Sequence, residues 1–151
     1  RRAGTRILRD TNVARSGINR GARGRLGVGV HCVMADPEVA GRAAEAGTTR
    51  AAAAVDQGAA LWPEGIYAVG NAPTALIRMA QLIRAGAMSP ALILAVPVGF
   101  VNVVEGREEV LALARERGIP AIAALGRKGG STVAAALCNA LLYQSGGRAK
   151  L

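Results

Sequence analysis

Ala91-Leu92-Ile93-Leu94-Ala95-Val96 is a run of six apolar residues with no polar residue between them. A strand with one wet face alternates apolar and polar positions. An unbroken run this short, bounded by turn residues, suits a strand covered on both faces. Ile66–Val69 has the same character, and Thr5–Leu8, Gly29–Met34 and Ile119–Ala123 are weaker versions of it. Helical periods fill the spaces between. Asp10-Thr11-Asn12 is suited to capping a helix from Val13. Asp36-Pro37-Glu38 supplies an N-cap, a proline at the first helical position and an acid in the first turn. That helix runs to about Ala46 and stops at Gly47, and Thr48 or Thr49 caps another through Ala51–Val55. Pro73–Ala85 is ended by Gly86 and Val104–Arg117 by Gly118, and a last helix runs to about Tyr143. Buried strands alternating with helices predict an α/β fold, a mostly parallel, doubly wound sheet with helices on both faces. The 151 residues suffice for a single domain, 1–151.

Other classes are excluded by the same stretch of chain. The longest nearly apolar segment, Ala91–Val104, is interrupted by Pro97, Gly99 and Asn102 and falls short of the ~20 residues that span a bilayer. The start is arginine-rich with no apolar run behind it, so no signal-peptide pattern is read there, and a cytoplasmic protein is expected. The formal charge of +9 suggests nucleic acid until its distribution is read. Residues 1–25 hold eight of the nineteen basic residues against one acid, and the remainder is nearly balanced, with eleven basic and nine acidic residues. Aromatic residues make up only 3%, too few to stack single-stranded bases, so no specific nucleic-acid partner is expected. Cys32 and Cys138 lie far apart in apolar runs, as reduced buried thiols do, and His31 is the only histidine. No histidine-based metal cluster forms within one chain, and no metal site is assigned.

Chemistry is concentrated in the turns. Gly70-Asn71-Ala72-Pro73-Thr74 separates a buried strand from a helix, either as a tight turn or as bare backbone and polar atoms brought to a ligand. Ligands of open α/β sheets bind outside the carboxyl ends of the strands, where this loop and the next two would lie. The dinucleotide pattern G-x-G-x-x-G fails at Cys32, and neither a G-x-x-x-x-G-K-[ST] loop nor a G-x-S-x-G elbow is present. Gly126-Arg127-Lys128-Gly129-Gly130-Ser131 has anion-binding logic nonetheless. Two glycines permit close approach, Ser131 caps a helix whose start favours negative charge, and Arg127 suits a carboxylate. A plain Gly-Gly turn with a solvated Arg-Lys pair is the competing reading. Arg50 stands in a first helical turn, where it opposes the helix dipole by ~0.3–1 kcal/mol, so a ligand gives it a reason to be there. Asp56 is a candidate partner for it, at a poor helical spacing of six. Pro97-Val98-Gly99-Phe100 reads either as an apolar wall for a flat ligand or as a sheet-end turn.

"TTRAAAAVD", "AVGNAPTALIRMAQLI", "PALILAVPVGFVNVVEGREEV" and "GRKGGSTVAAALCNALL" together resemble the precorrin-8X methylmutase family, which includes the cobalt-precorrin-8 methylmutases. Upstream, "ILRDTNVARSGINR" and "VHCVMADPEVA" are similar in the same order. The resemblance implies a Rossmann-like isomerase of cobalamin biosynthesis. It moves a methyl group from C11 to C12 of a corrinoid, formally a 1,5-sigmatropic shift, to give hydrogenobyrinic acid or its cobalt counterpart. It further implies a homodimer, no dissociable cofactor, and a polycarboxylate macrocycle bound by Arg50, Gly70, Asn71, Thr74, Gly99, Arg127, Gly129, Gly130 and Ser131. The family's acid histidine belongs to an N-terminal segment with no match here, so the resemblance assigns no catalytic residue and leaves His31 a structural one. A catalytically impaired corrinoid-binding fragment is the alternative expectation.

Overall fold

The computed structural model describes residues 6–9, 29–32, 37–70, 73–96, 103–123, 133 and 136–141. Among these residues five strands form one sheet: β1 (Arg6–Arg9), β2 (Gly29–His31), β3 (Ile66–Val69), β4 (Leu92–Ala95) and β5 (Ala121–Ala123). Their order is β2-β1-β3-β4-β5, and every pairing is parallel. The helices are α1 (Pro37–Ala46), α2 (Arg50–Leu61), α3 (Pro73–Arg84) and α4 (Val103–Arg117). Right-handed crossovers are the rule for parallel strands. From β2 onward the chain crosses the sheet in one direction, so α1 to α4 share a face. They pack in that sequence, α1 on α2, α2 on α3 and α3 on α4.

The unbroken apolar strands have the burial they require. Leu8, Tyr67 and Ile93 lie on one register row and join Leu76, Met79, Ile83 and Val110 in the core beneath the helices. Ala68 and Leu94 form the next row, pointing to the other face, and are as thoroughly enclosed, with Leu94 at 0% exposure. Both faces of the central strands are therefore shut off from solvent, as expected for a doubly wound sheet. No described helix is long and apolar enough to cross a membrane.

Helix ends follow their local chemistry. α1, α3 and α4 each stop at a glycine with positive φ, Gly47 (63°), Gly86 (74°) and Gly118 (69°). In each, the next N–H reaches back five residues in the Schellman pattern: Thr48 to the Ala43 carbonyl, Ala87 to Leu82 and Ile119 to Ala114. α2 departs from expectation by running to Leu61, well past Val55. Gly58 marks no break. A Cβ there would meet Leu8 Cδ2 at 2.8 Å and the Tyr67 hydroxyl at 3.2 Å, so the glycine lets α2 lie directly on β1 and β3. β2, β4 and β5 are shorter than their apolar runs, and the final helix is described only at 133 and 136–141. The expected helix from Val13 lies outside the described residues.

Tyr67 donates its hydroxyl hydrogen to the Trp62 carbonyl at 3.0 Å, and burial pushes its phenol well above the ordinary range. The folded chain thus holds this proton where the unfolded chain releases it. The contribution to stability is intact below about pH 10 and is lost as the pH rises further. Thermal unfolding followed across that range is expected to show the loss in the wild type. Tyr67→Phe should remove that component, and identical slopes would show that Tyr67 does not carry it.

Candidate functional site

Strand order locates the crevice. The chain leaves β1 for one side of the sheet and β3 for the other, and between such divergent strands the carboxyl edge is open to a ligand. β1 and β3 pair directly, with Arg9 opposite Ala68, and Gly70 follows two residues beyond as a buried residue.

Two helix starts meet beside it. Gly47 ends α1 so sharply that Thr49, three residues after Ala46, already caps α2. Its backbone is extended (φ −78°, ψ 155°), and its hydroxyl accepts from the Ala52 N–H at 3.1 Å. The same hydroxyl donates to Thr74 Oγ1 at 3.1 Å, in the first turn of α3. α3 begins at the carboxyl end of β3, so α2 also points its N-terminus at that edge. Both helices are aligned with their positive ends outward, which favours an anion.

Arg50 is the first residue of α2 and is exposed. Asp56 is not its partner. The carboxylate lies six residues further along the helix and accepts instead from Arg78 Nε on α3 at 2.7 Å, while Arg78 Nη1 donates to Gln81 Oε1 at 2.8 Å. Arg50 has no hydrogen bond or ion pair among the described residues, so its charge is available at the helix start. A cleft of about 350 Å³ runs between the two helices, with Thr48, Thr49, Thr74, Asp56, Arg78 and Gln81 on its walls. That volume lies near the lower end of the ~300–1,000 Å³ range of small-molecule sites. It suits a substituent, not a whole macrocycle.

The structure thus brings Thr74 to the start of Arg50's helix and puts Gly70 at the strand end nearby. Asn71, Gly99, Arg127, Gly129, Gly130 and Ser131 lie outside the described residues. His31 is elsewhere. It shares the register row of Leu8 and Tyr67, and its ring stacks on Trp62 with centroids 4.4 Å apart at 21°, beyond the C-terminus of α2. Sequence reasoning missed the Thr49–Thr74 bond and Arg78. The hydroxyl at each helix start was a usable signal, but nothing local reveals that the two starts are neighbours.

The model of the precorrin-8X methylmutase family matches residues 2–144. The chain belongs to this family. A cobalt-precorrin-8 methylmutase from Leptospira interrogans is 39% identical over 149 residues, covering 96% of this chain and 68% of that protein. One from Salmonella typhimurium is 44% identical over 138 residues, covering 91% and 62%. The chain therefore spans about two thirds of the length of these methylmutases. Among solved structures, a precorrin-8X methylmutase from Thermus thermophilus superposes with a TM-score of 0.81 at 39% identity, over 96% of this chain and 70% of that one.

Proposed function

We propose that this protein is a precorrin-8X methylmutase, moving a methyl group from C11 to C12 of precorrin-8X, or of its cobalt-containing counterpart, to give the corresponding hydrogenobyrinic acid. Membership of the family supports the reading, and one observation in the fold supports where the substrate would bind. The starts of α2 and α3 are joined by the Thr49–Thr74 hydrogen bond at the carboxyl edge, with Arg50 in the first turn. A methyl shift within one molecule adds and removes nothing overall, so the protein's task is to hold a rigid disc and set its electron distribution. The carboxylates at the rim of such a disc match the two helix starts and the guanidinium of Arg50. Gly70, Asn71, Thr74, Gly99, Arg127, Gly129, Gly130 and Ser131 complete the binding surface in this reading. The working form is a homodimer in the cytoplasm, and any cobalt enters as part of the substrate.

Anaerobic titration with hydrogenobyrinic acid, read as a visible spectral shift, tests the site. A saturable shift with one macrocycle per chain is expected. A folded sample giving none would remove the corrinoid reading.

A further inference from the structure

Arg107 sits in the second turn of α4 and is only 3% exposed, and its Nη1 has no hydrogen-bond partner among the described residues. An arginine keeps its charge in proteins, and an uncompensated buried charge is among the costliest features a fold can carry. The cause lies in the sequence around it. The positions three and four residues away on the helix are Val103, Val104, Val110 and Leu111, none of which neutralises a cation. Glu105, Glu108 and Glu109 lie on other sides of α4; the first two are exposed, and Glu109 accepts from Arg84 Nη1 at 2.6 Å.

The described elements that pack most closely on α4 offer nothing more. α3 and β5 contain no aspartate or glutamate. More widely, residues 65–104 and 117–151 hold none, so the loops entering α4 and following β5 have no acidic side chain either. Among the described residues no carboxylate pairs with Arg107, which leaves a place for an anion from a ligand. Arg107 also stands near the start of α4, the helix that follows the carboxyl end of β4, on the sheet edge where α2 and α3 begin.

We propose that Arg107 is a ligand-binding residue whose guanidinium takes a carboxylate of the bound corrinoid. The assignment rests on the proposed function and adds to it an anchor on the third helix, buried where Arg50 is exposed. It also accounts for a buried guanidinium nitrogen left without a partner among the described residues.

Arg107→Met, which keeps the length and apolar stem of the side chain, separates this role from a structural one. With hydrogenobyrinic acid as the probe, affinity is expected to fall tenfold or more. The melting temperature of the unliganded variant should equal or exceed that of the wild type, because a buried unpaired charge has been removed. The wild type should also prefer hydrogenobyrinic acid over a derivative with its carboxylates amidated, and the variant should lose part of that preference. Wild-type affinity and preference in Arg107→Met would overturn the assignment while leaving the proposed function standing. A lower melting temperature with unchanged preference would make Arg107 structural. Failure of the wild type itself to bind the probe would overturn the proposed function, and this assignment with it.

Discussion

Arg50→Ala is expected to weaken binding of hydrogenobyrinic acid by about ten- to a hundredfold, while making the unliganded protein slightly more stable. The two effects have different origins. A charge-assisted bond to a carboxylate contributes ~1.5–3 kcal/mol, and each ~1.4 kcal/mol is a factor of ten in affinity. Without ligand, the guanidinium opposes the dipole of α2 from its first position, and removing it relieves ~0.3–1 kcal/mol. A residue kept against its own helix is thereby distinguished from one that merely decorates the surface. Visible titration and thermal melting of the same variant read both signs. Unchanged affinity would place Arg50 outside the site.

Leu94→Ala and Ile93→Ala are expected to destabilise the protein by similar amounts, ~2–5 kcal/mol each, a large share of a typical total of ~5–15 kcal/mol. These neighbours on β4 point to opposite faces, and both are 0% exposed. Ile93 loses contacts with the core under α2, α3 and α4, and Leu94 loses those of the other face. Near-equal costs in chemical denaturation are the signature of a sheet covered twice. A cost below about 1 kcal/mol at Leu94 alone would mean that its face is open.

Sequence pattern located the elements well where burial and capping act locally. The glycine stops at 47, 86 and 118, the strand Ile66–Val69 and the cap at Thr49 are all as expected. α2 was underestimated because Asp56, Gln57 and Gly58 interrupt its apolar period. Each has a reason from across the molecule: Asp56 pairs with α3, Gln57 is buried, and Gly58 makes room for Leu8 and Tyr67. Such reasons are invisible to a window of chain. The site shows the same division. Arg50 and Thr74 stand out by their unusual positions, but their meeting depends on the order in which strands pair. Asp56 was misassigned for that reason, since its partner is 22 residues away along the chain and adjacent only because α2 and α3 pack together.

The hydroxyl bridge between Thr49 and Thr74 has a kinetic consequence. It joins two helix starts, which in the proposed function grip the rim of the macrocycle as one unit, and a methyl shift leaves that rim unchanged. In the proposed reaction, substrate and product therefore present the same carboxylates to the same atoms. Contacts that hold both equally lower KM without raising kcat. Turnover must be driven by whatever faces C11 and C12, and the grip at the edge makes the product a competitor of nearly equal strength. Speed then depends on how fast the disc is let go.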